Sequence, residues 1–146
     1  MLTTLIIPID NSPLVRKMIK KLPSTLDLSD KNIYLIHVSD PYPVTIYSEG
    51  ALSEYYISEK SHRQACNEIA EIIFANYKKM LQPCAQLKFI HEFNSDIPSA
   101  IVKASKKYKA DAIVMTSHRY TGMNNVFLGD KAHKVIVNTK IPVLVL

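Results

Sequence analysis

At 146 residues and 47% hydrophobic, the chain is long enough to close one core, and residues 1–146 are expected to form a single domain. Its longest apolar runs, such as LIIPI and IPVLVL, fall far short of the ~20 residues of a membrane-spanning helix. The net charge of +5 is uneven: residues 1–100 hold 10 Lys/Arg against 11 Asp/Glu, and residues 101–146 hold 8 against 2.

In chain order, TTLIIPI at 3–9 reads as a short strand buried on both faces, with Pro8 weakening pairing near its end. Ser12 suits an N-cap and Pro13 a first helical position; Val15, Met18, Ile19 and Leu22 give one apolar helical face, which Pro23 is expected to end. NIYLIHV at 32–38 is the second strand, and a loop rich in Pro, Tyr and Ser runs from Ser39 to about Ser53. A long helix is expected from about Glu54 to Leu81, with a stripe of His62, Cys66, Ile69, Ile73, Tyr77 and Met80, closed by Pro83. Residues 85–93 form the third strand. Ser95 or Asp96 caps a third helix whose inner face is Ile97, Ile101, Ala104 and Tyr108. Asp111 to Met115 is the fourth strand. Gly129 and Asp130 open a fourth helix that turns Ala132, Val135 and Ile136 inward, and Ile141 to Leu146 is the fifth strand.

Strict alternation of strand and helix predicts an open five-stranded parallel sheet with helices on both faces, an α/β fold of the Rossmann-like kind. Ligands of such sheets sit beyond the carboxyl ends of the strands where strand order reverses. That rim carries Asp10, Val38 to Asp40, and Met115 to Arg119.

Other chemistry is thinly represented. Cys66 and Cys84 make no close pair and read as reduced thiols, and no secretory leader is recognisable, so a cytoplasmic protein is expected. His62 and Cys66 stand four apart on one helix, but a structural zinc needs four ligands and no second pair has a suitable spacing, so packing is the reading. No Gly-x-Ser-x-Gly elbow and no Gly-x-x-x-x-Gly-Lys loop is present. The lysines at 103, 106, 107 and 109 have no aromatic residues interleaved as in a single-strand binder. They read as a solvated helix face, with an anionic partner as the alternative and nucleic acid disfavoured.

LIIPIDNSP, HVSDP and AIVMTSHRYTGMNNVFLGDKAHKVIVNTKIPVLVL, in this order over the full length, resemble the universal stress protein family. The resemblance implies a fold of the adenine nucleotide alpha hydrolase-like type. In its ATP-binding members the closing segment carries Gly, two residues, Gly, nine residues, Gly, then Ser or Thr. Laid on this chain, these positions are Thr116, Arg119, Gly129 and Asp130; only Gly129 is retained. By the same resemblance Asp10 matches the residue that contacts the nucleoside and Met115 a position lining the adenine pocket.

The departures have physical consequences. A backbone that wraps phosphate needs residues without Cβ, and the chain has only 3 Gly. Thr116 is β-branched and stiff, Arg119 sets a long side chain where phosphates would lie, and Asp130 is expected to cap its helix and fill the anion site with its own carboxylate. Against this, Arg119, Lys131 and His118 are cation-capable and Arg can clamp phosphate. Asp10 has an equally plain reading as a turn residue leading into the Ser12 cap.

The expectation is a non-enzymatic, dimeric stress-response or regulatory protein with no cofactor and an unknown protein partner. It would not bind ATP in the family's usual mode; the alternative is an ATP- or AMP-binding switch. If IPVLVL is an edge strand, its open backbone favours a homodimer through Ile141–Leu146, a surface the resemblance also implies.

Overall fold

The computed structural model describes residues 1–42, 58–117 and 129–146. Among the described residues five strands alternate with four helices: β1 (Thr4–Pro8), α1 (Pro13–Thr25), β2 (Asn32–Ser39), α2 (Glu59–Lys78), β3 (Gln86–Phe93), α3 (Ile97–Lys107), β4 (Ala112–Met115), α4 (Asp130–Asn138) and β5 (Val143–Val145). A 3-10 turn, Lys79–Leu81, extends α2. All strand pairs are parallel, in the order β3-β2-β1-β4-β5.

The period of two along β1 sorts the core into two halves. Leu5 and Ile7 point to one face and join Ile19 and Leu22 of α1 with Ile73 and Tyr77 of α2. Ile6 points to the other and joins Ile101 of α3 and Val135 of α4. Helices therefore cover both faces, as alternation predicts. Each fully buried Leu or Ile contributes about 1.5–3 kcal/mol by leaving water.

Several boundaries differ from the sequence reading for identifiable reasons. Pro23 lies inside α1, not after it. Its fixed φ suits a helix, and the missing N–H costs one bond only near the end. Ser58 caps α2 by accepting from the Ser61 amide, so the helix starts later than Glu54; residues 43–57 lie outside those described, with most of the expected Pro/Tyr/Ser loop. The buried stripe of α2 runs through Ala70, Ile73, Phe74 and Tyr77, while Ile69 is 53% exposed. The small Ala70 lets the helix approach the sheet and rotates Ile69 to the flank. On α4, Ala132 and Val135 turn inward but Ile136 is 39% exposed. Of the two candidate caps of α3, Asp96 serves, accepting from the Ser99 amide at 3.1 Å.

The chain travels outward from β1 to β2 and β3, then crosses back to place β4 and β5 on the other side of β1. Strand order thus reverses between β1 and β4, and a crevice opens at their carboxyl ends. At the opposite ends Asp111 ties the same two strands. Its Oδ2 accepts from the Thr3 amide (3.0 Å), the Thr3 hydroxyl (2.8 Å) and the Thr4 amide (2.8 Å). These donors, led by Thr4, hold its carboxyl below the ordinary carboxylate range. No helix among the described residues is long and apolar enough to cross a membrane.

Candidate functional site

A pocket lies in the crevice. Pro8, Ile9 and Asp10 at the end of β1, Ile36 to Val38 on β2, and Met115 and Thr116 at the end of β4 form its floor and sides. Ile97 and Ile101 of α3, Val15 of α1, and Lys131 and Ala132 of α4 complete it. The strand ends bring Asp10, Val38, Met115 and Thr116 together, as their places on the rim require. The walls are chiefly apolar, and the ionisable side chains Asp10, His37 and Lys131 line it, a composition suited to a small organic ligand with polar ends.

Asp10 is fixed from two directions. Its Oδ1 accepts from the Ser12 amide at 2.8 Å, closing a turn that delivers the chain into α1. Ser12 then caps α1 by accepting from the Val15 amide at 3.3 Å. The Asp10 carbonyl accepts from the Tyr77 hydroxyl at 2.8 Å. Burial raises the Tyr77 phenol above its ordinary value, so it remains a donor. The turn-forming role of Asp10 is therefore present, and its half-buried carboxylate also lines the pocket.

The expected cap by Asp130 is not formed. Gly129 is the N-cap of α4 and supplies no side-chain bond. Asp130 is the first helical residue, its side chain is 78% exposed, and its Oδ2 lies 3.1 Å from Lys134 Nζ one turn on. A carboxylate at that position satisfies itself more readily with an i+4 lysine than by folding back on amides of its own turn. The first turn of α4 borders the pocket through Lys131 and Ala132, and no side chain caps it among the described residues. Gly129 itself is buried. Arg119 and His118 lie outside the described residues. Of the three departures from the family signature, Thr116 alone is described on the pocket wall.

His37 lines the pocket although the sequence reading does not single it out as a pocket residue; it precedes Val38, and the signal is adjacency at an element end. Lys131, named from sequence as cation-capable beside the anion site, also lines the pocket. Behind His37 a polar cluster joins β2, β3 and α2. His37 Nδ1 is 3.0 Å from the Ile9 carbonyl oxygen. His91 Nε2 is 2.7 Å from Ser39 Oγ, and His91 Nδ1 is 2.9 Å from Asn67 Oδ1. Burial, and after it the neighbouring His37, hold the His91 imidazole below its ordinary range. Arg63 of α2 sits over the Phe93 ring at 4.6 Å.

The His62 and Cys66 side chains meet, with Sγ 3.6 Å from Nε2, and the same nitrogen lies 3.0 Å from the Asp40 carbonyl oxygen. Among the described residues no group of three or more His, Cys, Asp or Glu side chains could hold a metal ion.

Known proteins share this architecture. The model of the universal stress protein family matches residues 1–146. Universal stress protein MJ0531 of Methanocaldococcus jannaschii is 31% identical over 143 residues, which span 97% of this chain and 79% of that protein. The structure of the hypothetical protein MJ0577 superposes with a TM-score of 0.76 at 26% identity, covering 100% of this chain and 96% of that one. A universal stress protein from Archaeoglobus fulgidus in complex with dAMP gives a TM-score of 0.62 at 16% identity, covering 99% and 98%. The structure of a universal stress protein in complex with cAMP gives a TM-score of 0.61 at 15% identity, covering 99% and 96%. The last two likenesses speak to the fold. With a family match over the whole sequence and a relative 31% identical, the chain belongs to the universal stress protein family.

Proposed function

We propose that this protein is a non-enzymatic, cytoplasmic regulator of the stress response. Its pocket takes an adenine nucleoside monophosphate-class ligand, without the glycine-lined wrap that holds ATP in the family's usual mode. The observation that carries this reading is the pairing of Asp10 and Lys131 on a pocket whose walls, Val38 and Met115 among them, are apolar. Asp10 would accept from sugar hydroxyls, the apolar walls would receive the base, and Lys131 would meet one phosphate.

Support for a nucleotide comes from the exposed, outward-paired Asp130, which leaves the first turn of α4 without an internal anion in its place. Two fold neighbours are complexes with dAMP and cAMP, so this architecture accommodates such ligands. Support for a weakened triphosphate grip comes from Thr116, whose Cβ and branched side chain oppose the close backbone approach that glycine allows. Regulation rather than catalysis is favoured because the pocket's polar groups among the described residues include no nucleophile-and-base pair.

The working unit is proposed to be a homodimer through β5. This strand lies at the sheet edge beside β4, and an open apolar edge is a template for a second copy.

Native mass spectrometry of freshly purified protein tests ligand and oligomer together. A dimer retaining a nucleoside monophosphate, with AMP binding at micromolar concentration by isothermal titration, is the expected result. A protein that emerges empty and takes up no AMP at millimolar concentration would overturn the nucleotide reading and leave a ligand-independent, partner-binding role.

A further inference from the structure

His37 and His91 are register partners across the β2–β3 ladder, with ring centroids 5.7 Å apart. Their hydrogen bonds make them unequal. The Ile9 carbonyl can only accept, so His37 Nδ1 carries the hydrogen and donates to it. His37 Nε2 is then the ring nitrogen open to a proton, on a residue that lines the pocket. His91 is engaged at both nitrogens. Nδ1–H donates to the Asn67 amide oxygen, and Nε2 accepts from the Ser39 hydroxyl. Its neutral form is satisfied as it stands, and charging it would force the buried Ser39 hydroxyl to reverse.

Resting on the nucleotide reading, we propose that His37 is the pocket's proton-uptake residue: a phosphate-bearing ligand draws a proton onto its Nε2, while His91 stays neutral behind it. The surrounding charges divide in the same sense. Burial first, and His37 next, oppose charge on His91; Glu92 beside it on β3 favours charge, and Arg63 from α2 opposes it more weakly. On the pocket side the charged groups that line the cavity with His37 are Asp10 and Lys131, of opposite sign. Arg16 of α1 acts on the Tyr77–Asp10 corner. Two stacked imidazoles at this spacing disfavour a double charge, so uptake is limited to one proton. The ligand phosphate supplies the opposite charge that tips His37. Occupancy then responds to acidification: affinity rises as pH falls through the imidazole range and weakens as pH rises through it.

Isothermal titration of AMP near neutral pH, in two buffers of unlike ionisation enthalpy, counts the protons. The wild type is expected to take up a sizeable fraction of one proton more than His37→Gln, while His91→Gln retains the uptake. Protonation of the AMP phosphate is common to all three proteins and cancels in the comparison. Equal proton counts in wild type and His37→Gln, with AMP still bound, overturn the inference and leave the nucleotide reading standing. Absence of AMP binding overturns both. Ring-nitrogen NMR across the same pH range reads the pair without ligand. His37 in the Nδ1–H form supports the assignment, and the Nε2–H form overturns it.

Discussion

The Asp130 carboxylate lies 3.1 Å from the ammonium of Lys134, one turn further along α4. This pairing carries the acid into solvent and away from the pocket, where the chemistry of its position would otherwise set it against a bound anion. Exposed pairs of this kind contribute little, about 0.3–0.5 kcal/mol on a helix surface. Asp130→Ser is therefore expected to change AMP affinity by less than about threefold. Titration calorimetry checks this, and a gain of an order of magnitude would mean that Asp130 does guard the site.

Tyr77 couples the buried core to the pocket rim. Its ring packs among the core residues while its hydroxyl donates to the Asp10 carbonyl. Tyr77→Phe keeps the packing and leaves that carbonyl without its partner, at an expected cost of about 1–2 kcal/mol. Urea denaturation should show the loss as a lower midpoint at unchanged slope. AMP affinity should fall with it, because the Asp10 turn is less firmly held.

Asp111 predicts a pH-dependent contribution at the other end of the sheet. Its folded-state pKa is lowered, chiefly by the Thr4 amide and the two donors of Thr3. A depressed carboxylate contributes stability that is present above its unfolded value, near 3.9, and lost as pH falls through the folded value. Asp111→Asn should therefore melt below the wild type at neutral pH, with the gap narrowing as the solution is acidified below the ordinary carboxylate range. Thermal melts followed by circular dichroism measure the gap.

The open edge of β5 can be tested without disturbing β4. The Ile113 amide donates to Pro142 and the Leu146 amide to the Met115 carbonyl, so even-numbered residues of this segment face β4. By alternation the N–H groups of Val143 and Val145 point outward. Val145→Pro removes one outward donor and is expected to halve the mass seen by light scattering while the circular dichroism spectrum stays native. A dimer that survives this change would place the interface elsewhere.

Fold and site were legible in the sequence to different depths. Alternating elements and apolar runs specified the parallel sheet, because burial on both faces demands runs such as TLIIP and AIVM. The rim residues followed from topology, since strand ends at a reversal must converge. Positions that depend on competition between neighbours were not legible. Ile69 belongs to the right period but loses the inward place to Ala70, whose small side chain allows close approach. Asp130 has the residue type of a cap, yet the choice between its own amides and Lys134 rests on geometry that no local pattern encodes. His37 looked like one more strand residue until its hydrogen bond to Ile9 and its place on the pocket came together.

The most direct test of the account compares AMP with ATP by isothermal titration, in the wild type and in Thr116→Gly. The wild type should bind AMP at least as tightly as ATP, and Thr116→Gly should move the preference toward ATP by about tenfold, or ~1.4 kcal/mol. Wild-type protein that binds ATP tenfold or more tightly than AMP would contradict the claim that Thr116 denies the triphosphate its backbone grip.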